Sequence, residues 1–267
     1  MAKEGQKIAI IADIHGNIAA LDAVLHDIDQ QGITDIYNLG DSVYGPLQPR
    51  ETAERLIARG IPSVRGNQDR ELENGITGVE GQPDHLHKRT EPMNPPNATF
   101  DYMLEQLSVE QIQWLLALPL IRMTEDLYMF HAQPTVDDVP LLEKIEPSGA
   151  QWRSDEELNQ LLHGIEQPII LCAHTHVPNL KYLPDGRIVI NPGSVGLPAY
   201  HDDLPYDHVM ESRAPHARYV VLDYTNGHWH VTHHSLVYDW EHAAQQASEN
   251  GRHDWAHALR TGRALRV

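Results

Sequence analysis

IAIIADIHGN, residues 8–17, decides the fold class. Its first five residues form an uninterrupted apolar run, as in a β-strand buried on both faces. The run stops at Asp13 and His15, and from Ile18 the apolar positions Leu21, Leu25 and Ile28 recur at helical spacing. A buried strand that runs into polar residues and then a helix is the opening of a βαβ unit. Moving outward, a second short strand at 35–39 ends in Gly40-Asp41. Pro49 can open the next helix, with Ala53, Leu56 and Ile57 apolar and Gly60 closing it. A third strand is expected at 61–65, ending in Gly66-Asn67. Such alternation predicts parallel strands joined by right-handed crossovers.

Residues 71–99 break the rhythm, with Gly75, Gly78, Gly81 and Pro83 followed by NPPN at 94–97. An irregular excursion of this length inside a compact domain points to function. Ser108 with Gln111 and Ser154 with Glu157 are capping-box pairs, opening helices through Leu118 and to about Gly164. Three further strands run into polar residues: 127–130 into His131, 168–172 (PIILC) into Ala173-His174-Thr175-His176, and 187–190 (RIVI) into Asn191. RYVVLDY (218–224) and HWHVTHHSL (228–236) flank Asn226-Gly227, a strong hairpin signal. The tail from Trp240 reads as helical. Without a repeat or linker, one α/β domain over 1–267 is expected, with excursions at 71–99 and 199–217.

The 267 residues are 41% hydrophobic and 22% charged, enough apolar residue for a core and too few charges for a disordered chain. No apolar run approaches the length of a membrane span. The start, MAKEGQK, has no apolar stretch of the secretory kind, so a cytoplasmic location is the expectation. The single cysteine, Cys172, excludes an internal disulfide framework and reads as core. A net charge of -18 argues against holding nucleic acid through its backbone. Of the 18 histidines, those placed at strand ends carry the chemistry.

Open α/β sheets place their sites beyond the carboxyl ends of strands. That neighbourhood receives Asp13, His15, Asp41, Asn67, His131, His174, His176 and Asn191. Oxygen and nitrogen donors without thiolate suit Mn, Fe, Zn, Co or Ni, and the ligand count exceeds one tetrahedral site. Two metals sharing a bridging carboxylate fit it, as in phosphoryl hydrolases. Asp13-x-His15, Gly40-Asp41, Gly66-Asn67-x-Asp69, His131 and Ala173-His174-Thr175-His176 together resemble the ordered signature of the calcineurin-like metallophosphoesterases. GDSVYGP (40–46) and NPGSVGLP (191–198) resemble a bacterial branch of small, single-domain members. The resemblance implies a four-layer α-β-β-α sandwich, with two mixed sheets face to face and helices outside. It also implies two divalent or trivalent metal ions, one on Asp13, His15 and His176, the other on Asn67, His131 and His174, with Asp41 bridging. The implied reaction is phosphoester hydrolysis by a metal-bridging hydroxide.

Many relatives carry a histidine after the asparagine as general acid; here the position is Gln68, which cannot supply a proton. The expectation is therefore a dinuclear hydrolase favouring phosphodiesters or activated esters over ordinary monoesters. The alternatives are a phosphomonoesterase acting on nucleotides or phosphoproteins, and a metal-binding scaffold without catalysis. Asn67, Arg65, Tyr44 and His201 are substrate-contact candidates, although Arg65 could equally pair with an acidic residue and Tyr44 could simply pack. Asp69 is expected to support the Asn67 loop by hydrogen bonding. His85, His87, His201 and His208 read as surface, any of them a possible substitute for the missing acid; His228 and His230 read as a solvated strand face. The expected partner is a small phosphoester, nucleotides included; a homodimer is allowed by analogy alone.

Overall fold

The computed structural model describes residues 2–77, 87–88 and 97–266. One sheet contains β1 (Gln6–Ile11), β2 (Asp35–Asn38), β14 (Ala217–Thr225) and β15 (His228–Leu236), in the order β15-β14-β1-β2. The other contains β5 (Ile121–Met123), β6 (Leu127–Phe130), β9 (Ile169–Leu171), β10 (Asn179–Tyr182) and β11 (Ile188–Asn191), in the order β10-β11-β9-β6-β5. Both are mixed. β1 is parallel to β2 and antiparallel to β14, while β9 is parallel to both β6 and β11.

Side-chain alternation along the strands builds the layers. Ile8 and Ile10 of β1 face inward and meet Met129 of β6, Leu171 of β9 and Ile190 of β11 between the sheets. Ala9 and Ile11 face outward onto Leu21, Val24 and Ile28 of α1 (Ile18–Gln30). On the far side, Phe130, Ile170 and Val189 pack against Leu158 of α6 (Asp155–Leu161). The result is the expected helix–sheet–sheet–helix sandwich, and it explains the unbroken apolar run at 8–12: both faces are covered, and each buried Ile or Leu contributes roughly 1.5–3 kcal/mol.

The remaining helices flank the carboxyl ends of the strands. α2 (Pro49–Ala58), α4 (Ala98–Gln106) and α5 (Val109–Leu116) share one apolar cluster around Phe100 and Ile112. α7 (Trp240–Glu249) and α8 (His253–Thr261) form a pair over Leu47 and Leu197. α3 (Asn67–Arg70) is a single turn leading into a 3₁₀ turn, Glu71–Gly75. Both capping boxes form, at Ser108/Gln111 and Ser154/Glu157, and Asn226-Gly227 turns the β14–β15 hairpin. His228 and His230 lie exposed on it.

Three expectations need correction. The third strand at 61–65 is reduced to one parallel bridge, Ser63 to Asn38, because Pro62 has no N–H to extend a ladder. The 71–99 stretch is not wholly irregular: it includes the 3₁₀ turn, the short pair β3 (Ile76–Thr77) and β4 (His87–Lys88), and the first turn of α4, with His85 outside the described residues. The 199–217 stretch is mostly a hairpin, β12 (Ala199–Asp202) and β13 (His208–Glu211), and another hairpin, β7 (Glu143–Glu146) and β8 (Gly149–Trp152), was not anticipated.

Candidate metal centre

The loops following β1, β2, β6 and β9 converge with α3. His15, Asp41, Asn67, His174 and His176 line one cleft of about 210 Å³. Asp13 and His131 lie beneath it, 0% and 1% exposed. Asp13, His15, Asp41, His174 and His176 all adopt positive φ, from 51° to 72°. Asp and His are among the non-glycine residues that enter this region most readily, and the backbone places their side chains on the cleft side of each loop.

Backbone carbonyls set the imidazoles. His15 Nδ1 donates to Tyr44 O at 2.8 Å, His131 Nδ1 to Leu39 O at 2.8 Å and His176 Nδ1 to Leu197 O at 2.6 Å. Each Nε2 is thereby turned into the cleft, the usual outer support of a metal-binding histidine. His15 Nε2 and His176 Nε2 then face each other at 3.1 Å, with two lone pairs opposed. His176 Nε2 lies 3.5 Å from Asp13 Oδ1. Asn67 Oδ1 is 3.0 Å from His131 Nε2 and 3.1 Å from His174 Nδ1, and Asp41 Oδ2 is 3.4 Å from His131 Nε2. Two overlapping donor groups result, Asp13/His15/His176 and Asp13/Asp41/His131, each with its ligand atoms within 4.8 Å of one another.

Both carboxylate oxygens of Asp13 are buried without a hydrogen-bond donor. Burial of an unpaired carboxylate is costly, and its pKa is pushed well above the usual range by that burial. Burial would lower His131, but the Asp41 carboxylate beside it lifts it to about 10. Burial would raise Asp41, yet His131, His15 and His174 together hold it below the ordinary carboxylate value. Burial and the charge on His131 drive His174 down to about 3. Opposed lone pairs, orphaned carboxylate oxygens and an N/O donor set all fit divalent cations.

A second ring of contacts fixes the loops. Asp69 accepts from the N–H groups of Asp41, Ser42 and Gly66 at 2.9, 3.0 and 3.1 Å, the supporting role expected of it. Gln68 N–H, in the first turn of α3, donates to Asp41 Oδ1 at 2.9 Å. A Cβ on Gly66 would lie 2.1 Å from that Asp41 oxygen, and one on Gly196 would lie 1.8 Å from Ile14 O. Both glycines are needed for backbone to approach this closely. Asn191 Nδ2 donates to Ala173 O, and Ser194 Oγ donates to Asp13 O. Asn191 therefore braces the loop of His174 and His176 without entering the cleft.

Tyr44, Gln68 and His201 line the cleft. His201 Nε2 is 2.6 Å from Asp207 Oδ1. Arg65 does not line it: its Nη1 donates to Glu73 Oε1 at 3.0 Å, the acid-pairing alternative. His208 is buried, 4% exposed, with Nδ1 donating to Tyr206 O, and is not the surface histidine expected. Cys172 is core, as read. Sequence reasoning missed Tyr200, Arg252 and Trp255. Tyr200 stands edge-on to His176 at 4.8 Å and Trp255 edge-on to His15 at 5.6 Å. Arg252 is held by both oxygens of Asp254 and by Thr99 Oγ1. No local pattern marks Arg252 or Trp255; they lie in a tail legible only as helical.

The profile of the calcineurin-like phosphoesterase superfamily domain matches residues 7–227. An uncharacterised protein of Methanocaldococcus jannaschii is 30% identical over 210 residues, 72% of this chain and 76% of that one. The crystal structure of a metallophosphoesterase from Sphaerobacter thermophilus superposes with a TM-score of 0.70 at 25% identity, covering 97% of this chain and all of the other. The layered fold, the cluster of histidines and carboxylates and these similarities agree that the chain belongs to the calcineurin-like phosphoesterase superfamily.

Proposed function

We propose that the protein is a dinuclear metal-dependent phosphoesterase that favours phosphodiesters and activated esters. The observation that carries the reading is the pair of overlapping donor groups meeting at Asp13, with Asp41 between the histidines of both. Asp13, His15 and His176 would hold one ion, Asn67, His131 and His174 the other, and Asp41 would be shared. Ions of the Mn, Fe, Zn, Co or Ni type supply a polarised phosphoryl oxygen and a water acidic enough to act as nucleophile near neutral pH. The chain's own residues position the ester. Arg252 is the one lysine or arginine lining the cleft among the described residues; Asp254 and Thr99 orient it through three of its N–H groups, and the remaining donors would meet an anionic substrate. Tyr200, Trp255 and Tyr44 wall the cleft. Gln68 lines the cleft at the sequence position where many relatives carry a histidine as general acid, and a glutamine cannot donate a proton as an acid, so esters with good leaving groups would benefit most.

His201 favours a second reading. It lines the same cleft and is oriented by Asp207, so an acid can enter from the β12–β13 hairpin and support monoester hydrolysis. The test is turnover of bis-p-nitrophenyl phosphate and p-nitrophenyl phosphate by metal-stripped protein with Mn²⁺ restored. Faster diester turnover is expected. A faster monoester that slows in His201→Ala selects the second reading, and no turnover with any first-row metal overturns both.

A further inference from the structure

A second cavity of about 170 Å³ opens beside the metal cleft. The two share His174, Tyr200 and Asp202, so one molecule can extend from the first into the second past a candidate ligand residue. The cavity lies between the β7–β8 and β12–β13 hairpins, which contact each other through β8 and β13. Neither hairpin belongs to the two main sheets, so this volume is not part of the sandwich.

Its lining describes its occupant. Val139, Pro140, Ile145, Leu204 and Pro205 give apolar walls. Leu204 is 75% exposed and Val139 39%, apolar surface that a ligand would cover. The rings of Tyr200 and His208 stand nearly perpendicular, 6.3 Å apart. The charged groups are of both signs: Asp138 and Asp202 accept, Lys144 and Arg153 donate. Lys144 is already engaged by Glu146 and Glu157 at 3.3 and 3.1 Å. Asp138 is itself paired with Arg70 Nη2 at 3.5 Å, and Arg153 Nη2 donates to Pro140 O at 3.4 Å with its charge directed in part to buried Glu143, so the cavity holds no surplus of positive charge for a second phosphate. An apolar cavity of about 150 Å³ accommodates one benzene ring. A volume of about 170 Å³ therefore has room for a ring-sized group.

We propose that this cavity receives a planar, uncharged ring carried on one arm of the substrate while the phosphoryl group lies over the metal-binding residues. The substrate class is then phosphoesters with an aromatic or heteroaromatic arm, such as a nucleobase. The proposal rests on the phosphoesterase reading, and its test separates the two. Phenylphosphonate and methylphosphonate share the anionic head, differ in the ring and are not hydrolysed. Calorimetry on Mn²⁺-loaded protein and saturation-transfer NMR on Zn²⁺-loaded protein, the diamagnetic form, should show phenylphosphonate bound at least tenfold more tightly, with the ring protons saturated. Val139→Phe and Ile145→Trp, which fill the cavity from two walls, should each reduce that ratio toward one, with thermal melts verifying the fold. Tyr182→Ala, at the exposed end of β10, should leave it unchanged. Equal binding of the two phosphonates, no detectable binding of phenylphosphonate, or a ratio untouched by both filling variants overturns the proposal. A ring preference that disappears on filling, in a protein that hydrolyses no ester, keeps the cavity and removes the hydrolase; hydrolysis without ring preference does the reverse.

Discussion

Five residues with candidate metal roles sit at positive φ, a region that costs a non-glycine residue roughly 1–2 kcal/mol. That strain is held by the contacts beneath them, including Asp69 on the Asp41 loop and Ser194 on Asp13. Asp41 stands at the centre, 3.9 Å from His15 Nε2 and 3.4 Å from His131 Nε2. Asp41→Asn keeps the shape and removes the charge, so metal content after desalting should fall from two ions per chain to one or fewer. Turnover should drop by about 10²-fold or more, since even outer-shell losses at metal sites cost ~10–100-fold; retained turnover would remove the bridging role. At the neighbouring position, Gln68→His should raise monoester turnover more than diester turnover, by up to ~10²–10⁴-fold for a fully effective acid. Equal gains on both esters would mean that Gln68 does not explain the preference.

At the scale of elements, strands deliver the site and loops brace it. NPGSVGLP contributes no candidate ligand, yet Val195 and Gly196 donate to Ala12 O and Asp13 O, and Leu197 O receives the His176 proton. The β7–β8 hairpin has its own electrostatic burden. Glu143 is 5% exposed, one of its oxygens has no partner, and burial raises it from the ordinary 4.5 to about 7, Arg153 opposing only in part. A carboxyl that holds its proton more tightly when folded contributes stability that is fully present below pH 4.5 and is lost as pH rises through about 7. Glu143→Gln stays neutral throughout. Its melting temperature relative to the native protein should therefore rise between pH 5 and pH 8, and a difference independent of pH would contradict the assignment.

Over the whole molecule, a chain of net charge -18 must bind an anion. Cations held by the candidate ligands would answer most of that need, and the α7–α8 pair adds Arg252 at the cleft edge. This pair lies beyond the portion matched by the family profile, which ends at 227. Arg252→Met should raise KM for a phosphodiester by roughly tenfold with kcat little changed, because a hydrogen bond to a charged group contributes ~1.5–3 kcal/mol. A fall in kcat at constant KM would instead assign Arg252 to the transition state.

The amino-acid sequence by itself determined the central strands β1, β6, β9 and β11, because a run covered on both faces must be apolar throughout and must stop where polar residues are needed; the bridge at Ser63 and the β7–β8 and β12–β13 hairpins were not legible in this way. For the same reason it determined the places of Asp13, Asp41, His131 and His174, each at or just beyond the end of such a run. Capping boxes and the Asn-Gly turn were legible because their hydrogen bonds close within three or four residues. Only the tertiary structure decided that Arg65 turns to Glu73, that His208 is buried, that Tyr200 and Trp255 meet the histidines, and that Arg252 lines the same cleft. Those contacts join residues up to more than two hundred positions apart on amphipathic or irregular segments. Local periodicity says which face such a segment buries, but not which distant loop covers it.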